Sequence, residues 1–100
     1  MVRIGYAETR RPISVASGGA KAPLRRFEDE WRRIEVVEID QPMVERTAVL
    51  AEEERLGALD ALHLAAALSV STPRLIFATW DRELHGAALR HRLEVLPARI

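Results

Sequence analysis

The segment that most constrains this chain is Ala58 to Leu68, which is apolar on nearly every side: Leu59, Leu62, Leu64 and Leu68 stand among five alanines. A helix without a polar face is predicted to lie buried between layers of a fold. One carboxylate, Asp60, is set into it. Its neighbours one turn away are Leu56, Gly57, His63 and Leu64, so the helix supplies no cation, and an unpaired buried carboxylate costs several kcal/mol. A distant arginine or a metal ion would offset that cost. The alternative is that Asp60 caps the helix by accepting a backbone N–H.

The remaining pattern supplies the layers. Leu75 to Thr79 is a continuous apolar run after Pro73, the form of an interior parallel strand, and Trp80 and Asp81 follow at its carboxyl end. Arg82 to about Arg92 reads as a helix, and Leu93 to Leu96, closed by Pro97, as a short final strand. Upstream, Glu35 to Ile39 is β-rich and too short for a core helix, so it reads as a strand. Asp40 then caps a helix from Gln41 to about Arg55, with Pro42 in its first turn and Val44, Ala48, Val49 and Leu56 at helical spacing. Gly57 separates it from the next. Val2 to about Ala16 has helical character, with Ile4, Tyr6 and Ala7 facing a core, but Pro12 predicts a kink or an early stop. Ser17 to Pro23 reads as a loop, and Leu24 to Arg33 as a short helix with Leu24, Phe27 and Trp31 on one face. Helices alternating with strands in this order predict an α/β fold, a parallel sheet flanked by helices and joined by right-handed crossovers.

At 100 residues the chain has room for a single domain, and its 48% hydrophobic and 30% charged residues are those of a folded protein. Without cysteine there is no disulfide framework and no thiolate zinc site. No apolar run approaches the roughly 20 residues that span a bilayer, and the N-terminus lacks the order of a signal peptide, so a cytoplasmic protein with no membrane partner is expected. The net charge of zero conceals a gradient: residues 1–27 carry six Arg or Lys against Glu8 alone. Of the fifteen basic residues fourteen are Arg, which suits phosphate contacts. A GC-rich coding sequence gives the same bias.

Two more carboxylates stand out. Asp81 lies where strand meets helix, and ligands of open α/β sheets bind at the carboxyl ends of strands; Asp is also a favoured N-cap, which explains the position without any function. Glu8 either belongs to the same site or pairs with Arg11 at i+3 on the surface. Thr79 is a candidate to orient a ligand, although a strand threonine is ordinary. His63, His85 and His91 do not form a compact ligand spacing, and His63, one turn after Asp60, reads as a hydrogen-bond partner of it or as core. There is no phosphate-binding glycine loop, nucleophile elbow or zinc motif. Hard carboxylates in this setting favour Mg²⁺ or Mn²⁺ over zinc.

The strings Gly5-Tyr6-Ala7-Glu8-Thr9-Arg10, Leu59-Asp60-Ala61-Leu62-His63-Leu64-Ala65 and Phe77-Ala78-Thr79-Trp80-Asp81-Arg82-Glu83-Leu84, in this order and spacing, together resemble the PIN-domain family, specifically the VapC-like toxins of bacterial toxin–antitoxin pairs. The resemblance implies a metal-dependent endoribonuclease held in check by a cognate antitoxin, with Glu8, Asp60 and Asp81 as acidic residues of the metal site and RNA as substrate. It also suggests a homodimer. Family members begin with a strand carrying a first active-site aspartate and then one or two helices before the position of Glu8, so the resemblance implies an N-terminally truncated PIN-like fold, from a misplaced gene start or a shortened gene. Pro12 departs from a segment the family keeps helical. In such a site carboxylates hold divalent ions while Arg3, Arg10 or Arg11 hold the RNA backbone. With one aspartate absent, the 100-residue form is expected to be weak or inactive. The competing reading is a non-catalytic scaffold that binds an antitoxin helix or a second copy through apolar surface. A generic basic RNA-binding module ranks below both, because no stacking aromatics accompany the basic segment.

Overall fold

In the computed structural model of the protein, residues 1–34, 36–70, 72 and 74–100 are described. Glu35, the first residue of the expected strand 35–39, and Pro73, the expected boundary of the next, lie outside the described residues. The chain divides into two compact units, Met1–Glu38 and Ile39–Ile100.

The first unit is a helical hairpin. Helix α1 spans Gly5–Ala16 and α2 spans Lys21–Trp31. Pro12 sits inside α1, which neither stops nor breaks there and loses one internal hydrogen bond instead. What ends α1 is a pair of glycines in the left-handed region, Gly18 at φ 62° and Gly19 at φ 80°. The N–H of Gly19 donates to the Ser14 carbonyl at 3.0 Å, which satisfies one of the last carbonyls of the helix. The loop expected at 17–23 is accordingly shorter, because α2 already begins at Lys21 and takes Pro23 into its first turn, where no N–H is needed. Tyr6, Phe27 and Trp31 hold the hairpin, with ring centroids 5.3 to 6.0 Å apart in tilted and edge-on pairs. The Tyr6 hydroxyl donates to Glu28, and Arg10 approaches the same carboxylate at 3.5 Å.

The expected strand 35–39 is reduced to one parallel bridge, Val2 with Val37. The Val37 N–H donates to the Met1 carbonyl at 2.7 Å and the Arg3 N–H donates back to Val37 at 2.9 Å. A β-rich sequence forms a strand only where a partner runs beside it, and here the partner turns into α1 after Arg3. An Arg3–Glu38 ion pair closes the unit.

The second unit contains α3 (Gln41–Glu54), α4 (Ala58–Ser69), β1 (Ile76–Ala78), α5 (Arg82–Arg90) and β2 (Glu94–Leu96). Asp40 caps α3, its Oδ1 accepting the Met43 N–H at 2.9 Å, with Pro42 in the first turn. Arg55, left-handed at φ 53°, ends α3 and lets the chain fold back into α4. Met43, Leu50, Leu56, Leu64 and Leu84 are buried with the small residues Ala61, Ala65, Ala66, Ala87 and Ala88. Alanines at i and i+4 let helix backbones approach closely, so the core is built on helix contact more than on large side chains.

Strands β1 and β2 pair in parallel, Phe77 opposite Val95, with α5 as the crossover between them. The α/β class with parallel strands and flanking helices is therefore present. Two details differ from the expectation. Among the described residues, strand β1 is paired to one neighbour instead of standing in the interior of a sheet, and Ile76 and Ala78 are exposed. Likewise α4 buries one face only, for Leu59 is exposed and Leu62 and Leu68 are half-buried. Apolar runs read as fully buried when the sequence cannot say how many layers will cover them.

Candidate metal centre

Each carboxylate singled out in the sequence has a definite address. Asp60 lies in the first turn of α4, three residues after the N-cap Gly57, and α4 has no side-chain cap. The capping explanation for Asp60 thus finds no support, and the positive end of the helix dipole favours an anion there. Asp60 is half-buried, so water reaches it and the penalty for an unpaired carboxylate is smaller than full burial would impose.

Asp81 is the N-cap of α5. Its Oδ1 accepts the Leu84 N–H at 2.9 Å, and its own N–H donates to Thr79 Oγ1 at 3.1 Å. The expected capping role is therefore real, and it occupies one carboxylate oxygen while the side chain stays exposed. Thr79, set aside in the sequence as ordinary, fixes the backbone of Asp81. Its own N–H donates to the Leu96 carbonyl at 3.0 Å, which carries the β1–β2 ladder one residue further.

Glu8 belongs to the first unit, exposed in the first turn of α1. Arg10 leans on Glu28, whereas Arg11 is exposed and in no ion pair among the described residues. Neither Asp60 nor Asp81 is locked to an arginine among the described residues. Nor do three or more His, Asp or Glu side chains converge to hold an ion among them. What the second unit offers is two hard carboxylates at helix N-terminal turns. That donor chemistry fits Mg²⁺, which keeps several waters and takes one or two carboxylates together with substrate phosphates, and it does not fit zinc.

A family model described as PIN domain matches residues 3–93. The chain belongs to the PIN-domain family. Two relatives of this PIN domain are Ribonuclease VapC45 of Mycobacterium tuberculosis (strain CDC 1551 / Oshkosh) and Ribonuclease VapC49 of Mycobacterium tuberculosis (strain ATCC 25618 / H37Rv). Each is 33% identical to it over 105 residues, covering 98% of this chain and 73% of the relative. No solved structure matches. Among the described residues no helix is long and apolar enough to cross a membrane.

One polar cluster of the PIN domain lies outside the residues the sequence singled out. Glu54, at the end of α3, accepts from Arg90 Nε at 2.8 Å and from Arg90 Nη2, and His91 Nε2 lies 3.1 Å from its other oxygen. The Arg90 hydrogen bonds, ahead of the weaker contribution of His91, hold the Glu54 carboxyl below its usual range. No spacing rule reveals a triad whose members are 36 and 37 residues apart.

Proposed function

We propose that this PIN domain is a Mg²⁺- or Mn²⁺-dependent endoribonuclease, the toxin of a toxin–antitoxin pair, acting on RNA in the cytoplasm and inhibited by a cognate antitoxin. The observation that carries the reading is that Asp60 and Asp81 each open a helix of one unit and leave carboxylate oxygen uncommitted to any arginine among the described residues. The match to two ribonucleases over 98% of the chain supports it. Asp60 and Asp81 would hold the ion, which supplies a bound water of lowered pKa and neutralises charge at the scissile phosphate. Asp81 is held for that task by the α5 cap and by Thr79. Arg10 and Arg11 would hold the RNA backbone, which positions the strand without reading its sequence.

The test is cleavage of single-stranded RNA with Mg²⁺, with Mn²⁺ and with chelator. Cleavage that needs the metal and falls at least about a hundredfold in Asp60→Asn and in Asp81→Asn supports the reading. Cleavage that survives chelation or either substitution sinks it.

One observation favours the second reading, a non-catalytic scaffold that binds an antitoxin or a second copy. Ile39, Val44, Thr47, Ala58, Leu59 and Leu62 line an open groove of about 300 Å³ within the second unit, nearly all of it apolar. Such a surface suits the apolar face of a partner helix. Metal titration separates the readings, because a scaffold shows no Mg²⁺ or Mn²⁺ binding that depends on Asp60 or Asp81.

A further inference from the structure

We propose that Trp80 is a stacking platform for an unpaired base of RNA, presented one residue before the Asp81 carboxylate. The proposal rests on Asp81 belonging to a site that engages RNA. Trp80 is 80% exposed, the highest value among the large hydrophobic side chains described, whereas Trp31 is 8% exposed. An indole left in water forgoes the large area burial that aromatic rings normally contribute, so that burial is available to a partner that covers the ring.

The backbone that carries the ring is not a loose loop. On one side the Thr79 N–H donates to the Leu96 carbonyl at 3.0 Å. On the other, the Asp81 N–H donates to Thr79 Oγ1 at 3.1 Å and Asp81 Oδ1 accepts the Leu84 N–H at 2.9 Å. Trp80 is pinned between these bonds at the carboxyl end of a parallel strand, where ligands of α/β sheets bind. With only two rotatable bonds on a fixed backbone, the ring has little freedom to lose on binding. Exposed Arg82 follows Asp81 and brings a cation for a neighbouring phosphate.

The ring's chemistry selects the ligand class. Every base has a π-face, so stacking tolerates sequence, but it needs a base whose face is open. A base inside a duplex has both faces covered. The platform therefore takes single-stranded RNA and sets a stacked base one residue from the Asp81 carboxylate. Ile76 and Leu96 are also exposed on this sheet, and a second protein chain covering them is the competing occupant that the test must separate.

The probe is a short oligoribonucleotide added without metal, so that the metal-dependent cleavage proposed above does not proceed, while tryptophan emission is followed. Because Trp31 is buried, the solvent-exposed emission belongs to Trp80. The single strand is expected to quench it, and the same sequence as a duplex to quench far less. Trp80→Ala should weaken binding about tenfold and Trp80→Phe should restore part of the loss, with thermal unfolding unchanged in both. Binding without quenching, or full affinity in Trp80→Ala, overturns the platform. So does a change of oligomeric state in sedimentation of Trp80→Ala with RNA affinity intact, which would assign the ring to a protein interface. The ribonuclease reading fails separately: a chain that quenches with RNA yet binds no Mg²⁺ or Mn²⁺ through Asp60 or Asp81 keeps the platform and loses the enzyme. A chain whose Trp80→Ala variant binds and cleaves normally keeps the enzyme and loses the platform.

Discussion

Asp81 serves two ends with one side chain, and the choice of replacement separates them. Oδ1 caps α5 by accepting the Leu84 N–H, and Asn caps a helix about as well as Asp does. Asp81→Asn thus keeps the cap and removes the charge, while Asp81→Ala removes both. In urea unfolding, Asp81→Ala is expected to lose about 0.5–2 kcal/mol and Asp81→Asn only a few tenths. Cleavage and metal binding should fall equally in the two, and an Asn variant that still cleaves would show that the carboxylate is needed for the helix alone. Asp60 has no such double role, for it stands inside the first turn of an uncapped helix. Both aspartates could be picked out of the sequence because each interrupts a pattern, one an apolar helix and the other a strand-to-helix junction. The capping bond at Asp81 was equally readable, whereas the bond from its N–H to Thr79 depends on a local turn that propensity does not encode.

Among the elements, helices were more legible than strands for a physical reason. Asp40, Pro42 and Gly57 mark the ends of α3 and α4 through bonds made within a few residues, and both helices begin where those residues put them. A strand owes its existence to a partner distant in sequence, so the expected 35–39 strand became a single bridge and the expected 75–79 strand shortened to Ile76–Ala78. The same dependence on distant partners hid the bond between α3 and the end of α5. Glu54 there has a carboxyl held below its usual 4.5, first by hydrogen bonds from Arg90. A carboxyl whose folded pKa is depressed stabilises the fold fully above its unfolded pKa and loses that contribution as pH falls through the folded value. Wild-type stability should accordingly decline as pH drops below about 4.5, over the range in which Glu54 takes up its proton. Glu54→Gln should be less stable than wild type at neutral pH and converge with it in acid. Thermal unfolding across that range checks this, and a constant gap between the two proteins would assign the effect to packing instead of charge.

For the whole molecule, a net charge of zero says nothing of polyanion binding, because the cations are unevenly distributed along the chain. Residues 1–27 hold six of the fifteen and a single acid. Local bonds then decide which of these are free to meet a phosphate. Arg3 is paired with Glu38 and Arg10 lies 3.5 Å from Glu28, so both are partly neutralised within their own unit. Arg11 is in no ion pair among the described residues, and its full charge is available to solvent. Each phosphate neutralised on a single strand releases counterion and steepens the dependence of log affinity on log salt by about 0.7. Removing Arg11 should flatten that slope by about 0.7. Arg10→Ala should flatten it less, since Arg10 is partly committed, and should leave Glu28 to repel the strand. Binding of an oligoribonucleotide across a salt series without divalent metal measures both. An Arg11→Ala slope equal to wild type would mean that RNA does not pass over α1, and the backbone contacts would then have to be sought among the arginines of α2.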